Sequence, residues 1–135
     1  MEGQYLELYK NVATGDYLVQ RYAGSTGVGR FLKVSCAMMR EKGLGTISGI
    51  LQSTPPPPEE KPELSTFSEQ ELKAFYSQHP HIFVYLQPGE TICVGPLRKR
   101  GSGFVAPKED VMELARPYTH REFVAAVDRA FAALN

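Results

Sequence analysis

The chain has 135 residues, which suits one domain, and its 42% hydrophobic content supplies one ordinary core. Fifteen Lys and Arg balance 15 Asp and Glu, so the overall basic excess of a generic nucleic-acid-binding protein is missing and any electrostatic partner must meet a local patch. The two cysteines, Cys36 and Cys93, form neither a zinc spacing nor a secretory disulfide framework, and no apolar run suits a signal peptide or a bilayer span; a reducing cytoplasm is the expectation.

From the N-terminus, "QYLELYKN" fits either regular element: Tyr5 and Tyr9 lie four apart, Leu6 and Leu8 two apart. "YLVQRYA" has strand composition, "GSTGVG" is a Gly-rich turn and "RFLKVS" is a further strand. In "REKGLGTISGILQ", Leu44, Ile47, Ile50 and Leu51 recur at helical spacing. Gly43, Gly45 and Gly49 each weaken that helix by about 1 kcal/mol relative to alanine, a composition that suits a helix pressed tightly against a neighbouring backbone. "STPPPP" then breaks the chain, because proline withholds an amide donor and fixes φ. Residues 53–64 are expected to be an exposed, semi-rigid Pro-rich linker between two halves of one domain.

The second half is sharper. Ser68 and Glu71 have capping-box spacing and Phe67 and Leu72 occupy the staple positions, which predicts a helix over about 68–78 that Pro80 stops. "HIFVYLQ" and "TICVGPL" read as antiparallel strands joined through "PGE". "GFVAPKEDVMELA" begins extended, and its later part fits a strand or a helical turn. The C-terminus repeats the capping signature with Thr119 and Glu122, flanked by Tyr118 and Phe123. Phe123, Val127, Ala130, Phe131 and Leu134 then form the apolar stripe of a terminal helix. The expected fold is a single α+β domain: a mostly antiparallel sheet packed against amphipathic helices, including the C-terminal one. Strands are placed near 17–22, 30–35, 82–87 and 91–96, and helices near 44–52, 68–78 and 119–134.

No catalytic constellation emerges. "GSTGVG" lacks the Gly-Lys-Ser/Thr ending of a phosphate loop, and a strand rather than a helix follows it. His79 and His81 lie two apart on an extended segment and could face one side, but a metal usually wants a third protein ligand, and although Glu and Asp are plentiful nothing else in the spacing supports a site. Neither an enzyme, a metal nor a cofactor is therefore expected. Two charged patches remain. Glu59, Glu60, Glu63, Glu69 and Glu71 face a single lysine, Lys61, while Arg98, Lys99 and Arg100 are wholly basic. Such residues ordinarily serve solubility; the functional alternative is a protein-binding surface with local charge complementarity. Two rivals stay open: a pocket beside His81 and Cys93, serving a small enzyme or a ligand-binding domain, and a nucleic-acid module on Arg98–Arg100. The latter has only Phe104 as a neighbouring stacking ring, and direct nucleic-acid binding is not expected.

The C-terminal half, with the strand "TICVGP", the basic Gly-containing turn "RKRGSGFV" and the terminal helix "FVAAVDRAFAAL", resembles small immunity proteins of bacterial contact-dependent growth inhibition systems; "LGTISGIL" has a similar character. The resemblance implies a cytoplasmic, non-catalytic protein whose partner is the C-terminal toxin domain, commonly a nuclease, of a cognate surface effector. It implies no particular binding residue.

Overall fold

The computed structural model describes residues 3–89 and 91–134; Glu90 of the predicted "PGE" turn lies outside them. The elements run β1 (Gln4–Lys10), β2 (Tyr17–Ala23), β3 (Thr26–Val34), α1 (Cys36–Gln52), α2 (Glu69–Gln78), β4 (His81–Leu86), β5 (Ile92–Pro96), β6 (Arg98–Arg100), β7 (Gly103–Val105), β8 (Met112–Leu114) and α3 (His120–Ala132). Six strands form one sheet in the order β3-β2-β1-β4-β5-β8, antiparallel throughout, and β6 and β7 form a separate hairpin. The fold is the expected α+β domain.

Alternation along the central strands divides the molecule into two layers. Leu6 and Leu8 of β1, Ile82 and Val84 of β4, and Ile92 and Val94 of β5 point to one face. There they meet Met39, Ile47 and Leu51 of α1 and Phe123, Val127, Ala130 and Phe131 of α3. The ambiguous "QYLELYKN" is a strand because its leucines alternate with Tyr5, Glu7 and Tyr9, which face the other way.

Helix ends follow the sequence closely. Both capping boxes form, Ser68 with Glu71 and Thr119 with Glu122. α1 starts at Cys36, earlier than the expected start at 44, because Ser35 caps it by accepting from Met38 N at 3.0 Å. Non-helical dihedrals at Lys42 kink it. The amide of Leu44 and the carbonyl of Arg40, which would pair in a straight helix, instead bond to Nδ1 (3.4 Å) and Nε2 (2.9 Å) of His120 on α3. Of the three glycines, only Gly43 sits in a tight contact. A Cβ there would come 2.8 Å from Met39 Sδ and 3.4 Å from Val124 Cγ2 of α3, so the neighbours are side chains, not a backbone.

The Pro-rich segment is largely exposed but is tied along β3. Glu60 O accepts from Gly29 N at 2.8 Å and Glu63 Oε1 from Phe31 N at 3.1 Å. These bonds satisfy amides that an edge strand would otherwise present to another chain. Gly29 has φ +74° and lies against the Pro56 ring, so a side chain there would meet both strain and a clash.

Candidate functional site

The sheet face opposite α1 and α3 is only partly covered, and it carries the unusual chemistry. Tyr5, Glu7 and Tyr9 of β1 stand beside Tyr85, Phe83 and His81 of β4 in register, and Glu7 is also paired with Gln20 of β2. α2 leans over one end: Phe75 packs on Tyr9 and Phe31, and Tyr76 on Tyr9 and His81. The β6–β7 hairpin folds back beside it, placing Phe104 4.4 Å from His81 and 4.9 Å from Tyr76. At the other end Tyr5, Tyr22 and Tyr85 remain half-buried around an open cleft of about 730 Å³.

Glu7 is the centre of this face. Its carboxylate accepts from the Tyr5 hydroxyl at 2.9 Å and the Tyr9 hydroxyl at 3.1 Å, and the Tyr22 hydroxyl faces it as well. Burial, with the nearby Glu7 charge, pushes all three phenols above their ordinary range, so they stay neutral donors. Next to Glu7, the buried Gln20 amide donates to Val28 O at 2.8 Å and Gly29 O at 3.2 Å. It thereby fills the register shift between β2 and β3. Its Oε1 is buried without a partner among the described residues.

The acidic residues expected to meet a partner are divided by the fold. Glu59, Glu60 and Glu69 are exposed. Glu63 holds Phe31 N, and Glu71 accepts from Ser68 N at 2.9 Å in its capping box, which lowers the Glu71 carboxyl below its usual range. Two of the five therefore have local structural duties. Arg98, Lys99 and Arg100 are exposed but form β6, and the turn is moved to Gly101–Ser102. Arg98 pairs with Asp110 at 3.3 Å. Phe104 packs inward and is not a free stacking ring, which weakens the nucleic-acid alternative.

His81 and Cys93 share this face but are not neighbours. Cys93 pairs with Tyr85 and is separated from His81 by the Phe83–Gly95 pair, roughly 13 Å along the strands. Burial, with the Glu113 carboxylate paired beside it on β8, pushes the Cys93 thiol up, and burial pushes the His81 imidazole down to about 4, leaving a neutral thiol apart from the histidine. His79 stacks on Phe75 at 4.1 Å while His81 stacks on Tyr9 at 4.6 Å, so the two rings serve packing. Among the described residues, no three His, Cys, Asp or Glu side chains gather as a metal site.

Sequence reasoning missed Glu7, Tyr22 and Tyr85. The available signal was the Tyr-x-Glu-x-Tyr alternation of residues 5–9, legible only once β1 is read as a strand.

No protein-family model matches the chain, and no curated protein matches it in sequence. Solved structures do match in fold. A protein of unknown function from Neisseria meningitidis aligns with TM-score 0.64 and 12% identity over 99% of this chain and 96% of that one. A chain of the CdiA-CT/CdiI toxin and immunity complex from Yersinia pseudotuberculosis aligns with TM-score 0.58 and 11% identity, covering 100% of this chain and 99% of that one. At these identities the likeness is one of fold. No helix among the described residues is long and apolar enough to cross a membrane.

Proposed function

We propose that this chain is a non-catalytic immunity protein that binds and neutralises a cognate toxin domain. The observation that carries the reading is the end-to-end fold likeness to a chain of a toxin and immunity complex. The partly covered aromatic face supports it. Half-buried tyrosines supply large, rigid, amphipathic contact area, the character of residues that dominate protein interfaces. Glu59, Glu60 and Glu69, with Arg98, Lys99 and Arg100, act as charged contacts that steer and orient docking; Glu63 and Glu71 contribute to the same acidic surface from fixed positions. If the toxin is a nuclease, its basic substrate groove is the complement of that acidic surface.

Growth tests this directly. Cells expressing the C-terminal toxin domain of a surface effector, should one be encoded beside this chain, are expected to survive only when the chain is co-expressed. Unchanged toxicity with the folded chain present would reject the reading.

The basic hairpin adds a separable expectation. Changing Arg98, Lys99 and Arg100 together to alanine removes only an exposed ion pair, and it should leave unfolding free energy within about 1 kcal/mol of wild type. Its effect belongs in the association rate and the salt dependence of binding. A large stability loss in urea titration would show that the three side chains are structural.

A further inference from the structure

We propose that the cleft around Glu7 is an arginine pocket, which receives the guanidinium of an arginine side chain on the partner protein. The inference rests on the protein-binding reading above and names the chemistry of the contact.

Three features of the cleft select a cation. First, Glu7 is a half-buried carboxylate without a cationic partner; among the described residues the ion pair found is that of Arg98 with Asp110. Its hydroxyl neighbours orient the carboxylate but bring no positive charge, and three phenol donors still leave acceptor capacity in a group with about four lone-pair sites. Second, the walls are rings. Tyr5, Tyr22 and Tyr85 line the opening with Glu7, and among the described residues of its lining Glu7 is the charged one. Tyr5 and Tyr22 meet edge to face, with centroids 4.9 Å apart at 84°, and Tyr5 also stacks on Phe83, so aromatic rings stand around a negative charge, the combination that attracts a cation. Third, beside the cleft, the carboxamide oxygen of Gln20, next to Glu7 in register, is buried with no donor among the described residues.

Arginine fits these features better than lysine. A planar guanidinium stacks on a tyrosine face while its N–H fork engages a carboxylate, whereas an ammonium is a compact, strongly hydrated point charge.

The probe is N-acetyl-argininamide, titrated into the full chain in low salt and followed by tyrosine fluorescence, which is unobscured because the protein has seven tyrosines and no tryptophan. Saturable binding is expected, weakened at least about tenfold by Glu7→Gln, and weakened by raising NaCl from about 20 mM to about 500 mM. N-acetyl-lysinamide is expected to bind more weakly. Absence of saturation with wild-type protein would overturn the proposal without reliance on any variant. Equal affinity for the two amides would overturn the arginine assignment, and undiminished binding to folded Glu7→Gln would overturn Glu7 as its anchor. Tyr22→Leu, which keeps the charge and removes a ring face, provides a second variant and should also weaken binding. Argininamide binding by a chain that fails to bind the toxin domain would reject the immunity reading while upholding the pocket. Equal toxin affinity for wild type and Glu7→Gln would reject the pocket as a docking contact while leaving the immunity reading in place.

Discussion

Truncating Phe123 to alanine is expected to destabilise the protein by about 3–5 kcal/mol. Phe123 is the first apolar residue of α3, immediately after the capping box that fixes the helix start, and it is 0% exposed. It belongs to the cluster that joins α3 to α1 and to the inward residues of β1, β4 and β5. A cavity there cannot collapse easily, because the helix is held at its N-terminus by Thr119 and Glu122 and on its flank by the His120 bonds to α1. Phe131, one of the same stripe, is 6% exposed and also contacts the Tyr17 ring at 5.8 Å; its truncation should fall in the same range. Equilibrium urea unfolding checks both variants. A loss below about 1 kcal/mol at Phe123 would mean that α3 does not form the core of this face.

The second large effect is an acid sensitivity carried by His81. Its ring is 3% exposed and enclosed by Tyr9, Tyr76 and Phe104. Burial lowers its pKa from 6.5 to about 4, because the imidazolium would lose its hydration inside an apolar sandwich. With the folded-state pKa depressed below the unfolded one, the folded state holds the proton less tightly. The stabilising contribution is full above about pH 6.5 and is lost as pH falls through about 4. A drop of that size corresponds to roughly 3 kcal/mol. Unfolding free energies measured at pH 7 and pH 4 should therefore fall by roughly 3 kcal/mol more in wild type than in His81→Phe, which keeps an aromatic ring and removes the titration. Parallel pH curves for the two proteins would contradict the buried neutral histidine.

The contrast between what the sequence discloses and what it hides has a physical basis. Capping signals are local: Ser68 with Glu71 and Thr119 with Glu122 are three residues apart, and each box was legible before any tertiary contact was known. β4 and β5 were equally plain from their β-branched and aromatic composition, since both faces of these strands carry apolar side chains. Glu7 was hidden for the opposite reason. Its meaning depends on Tyr22, Phe83 and Tyr85, which reach it only when β2 and β4 pair with β1, a property of long-range register. The same holds for Glu63, whose carboxylate acts as an edge-strand acceptor for Phe31 N across the fold. Charge counting put Glu63 among free surface carboxylates because the pairing partner lies in a different part of the chain. α1 starts at the Ser35 cap, earlier than its glycines suggest, and runs on through a kink at Lys42 that is supported from outside by His120, a residue of another helix.

The central claim is that this chain is made to hold a toxin domain. It is tested most directly by calorimetric titration of the purified chain with the purified C-terminal toxin domain of the cognate effector that the proposed function requires. A saturable one-to-one complex is expected, tight enough to survive gel filtration, with affinity reduced by Glu7→Gln and association slowed by charge reversal at Glu59 and Glu60. No heat and no co-elution, from two folded proteins at micromolar concentration, would contradict it.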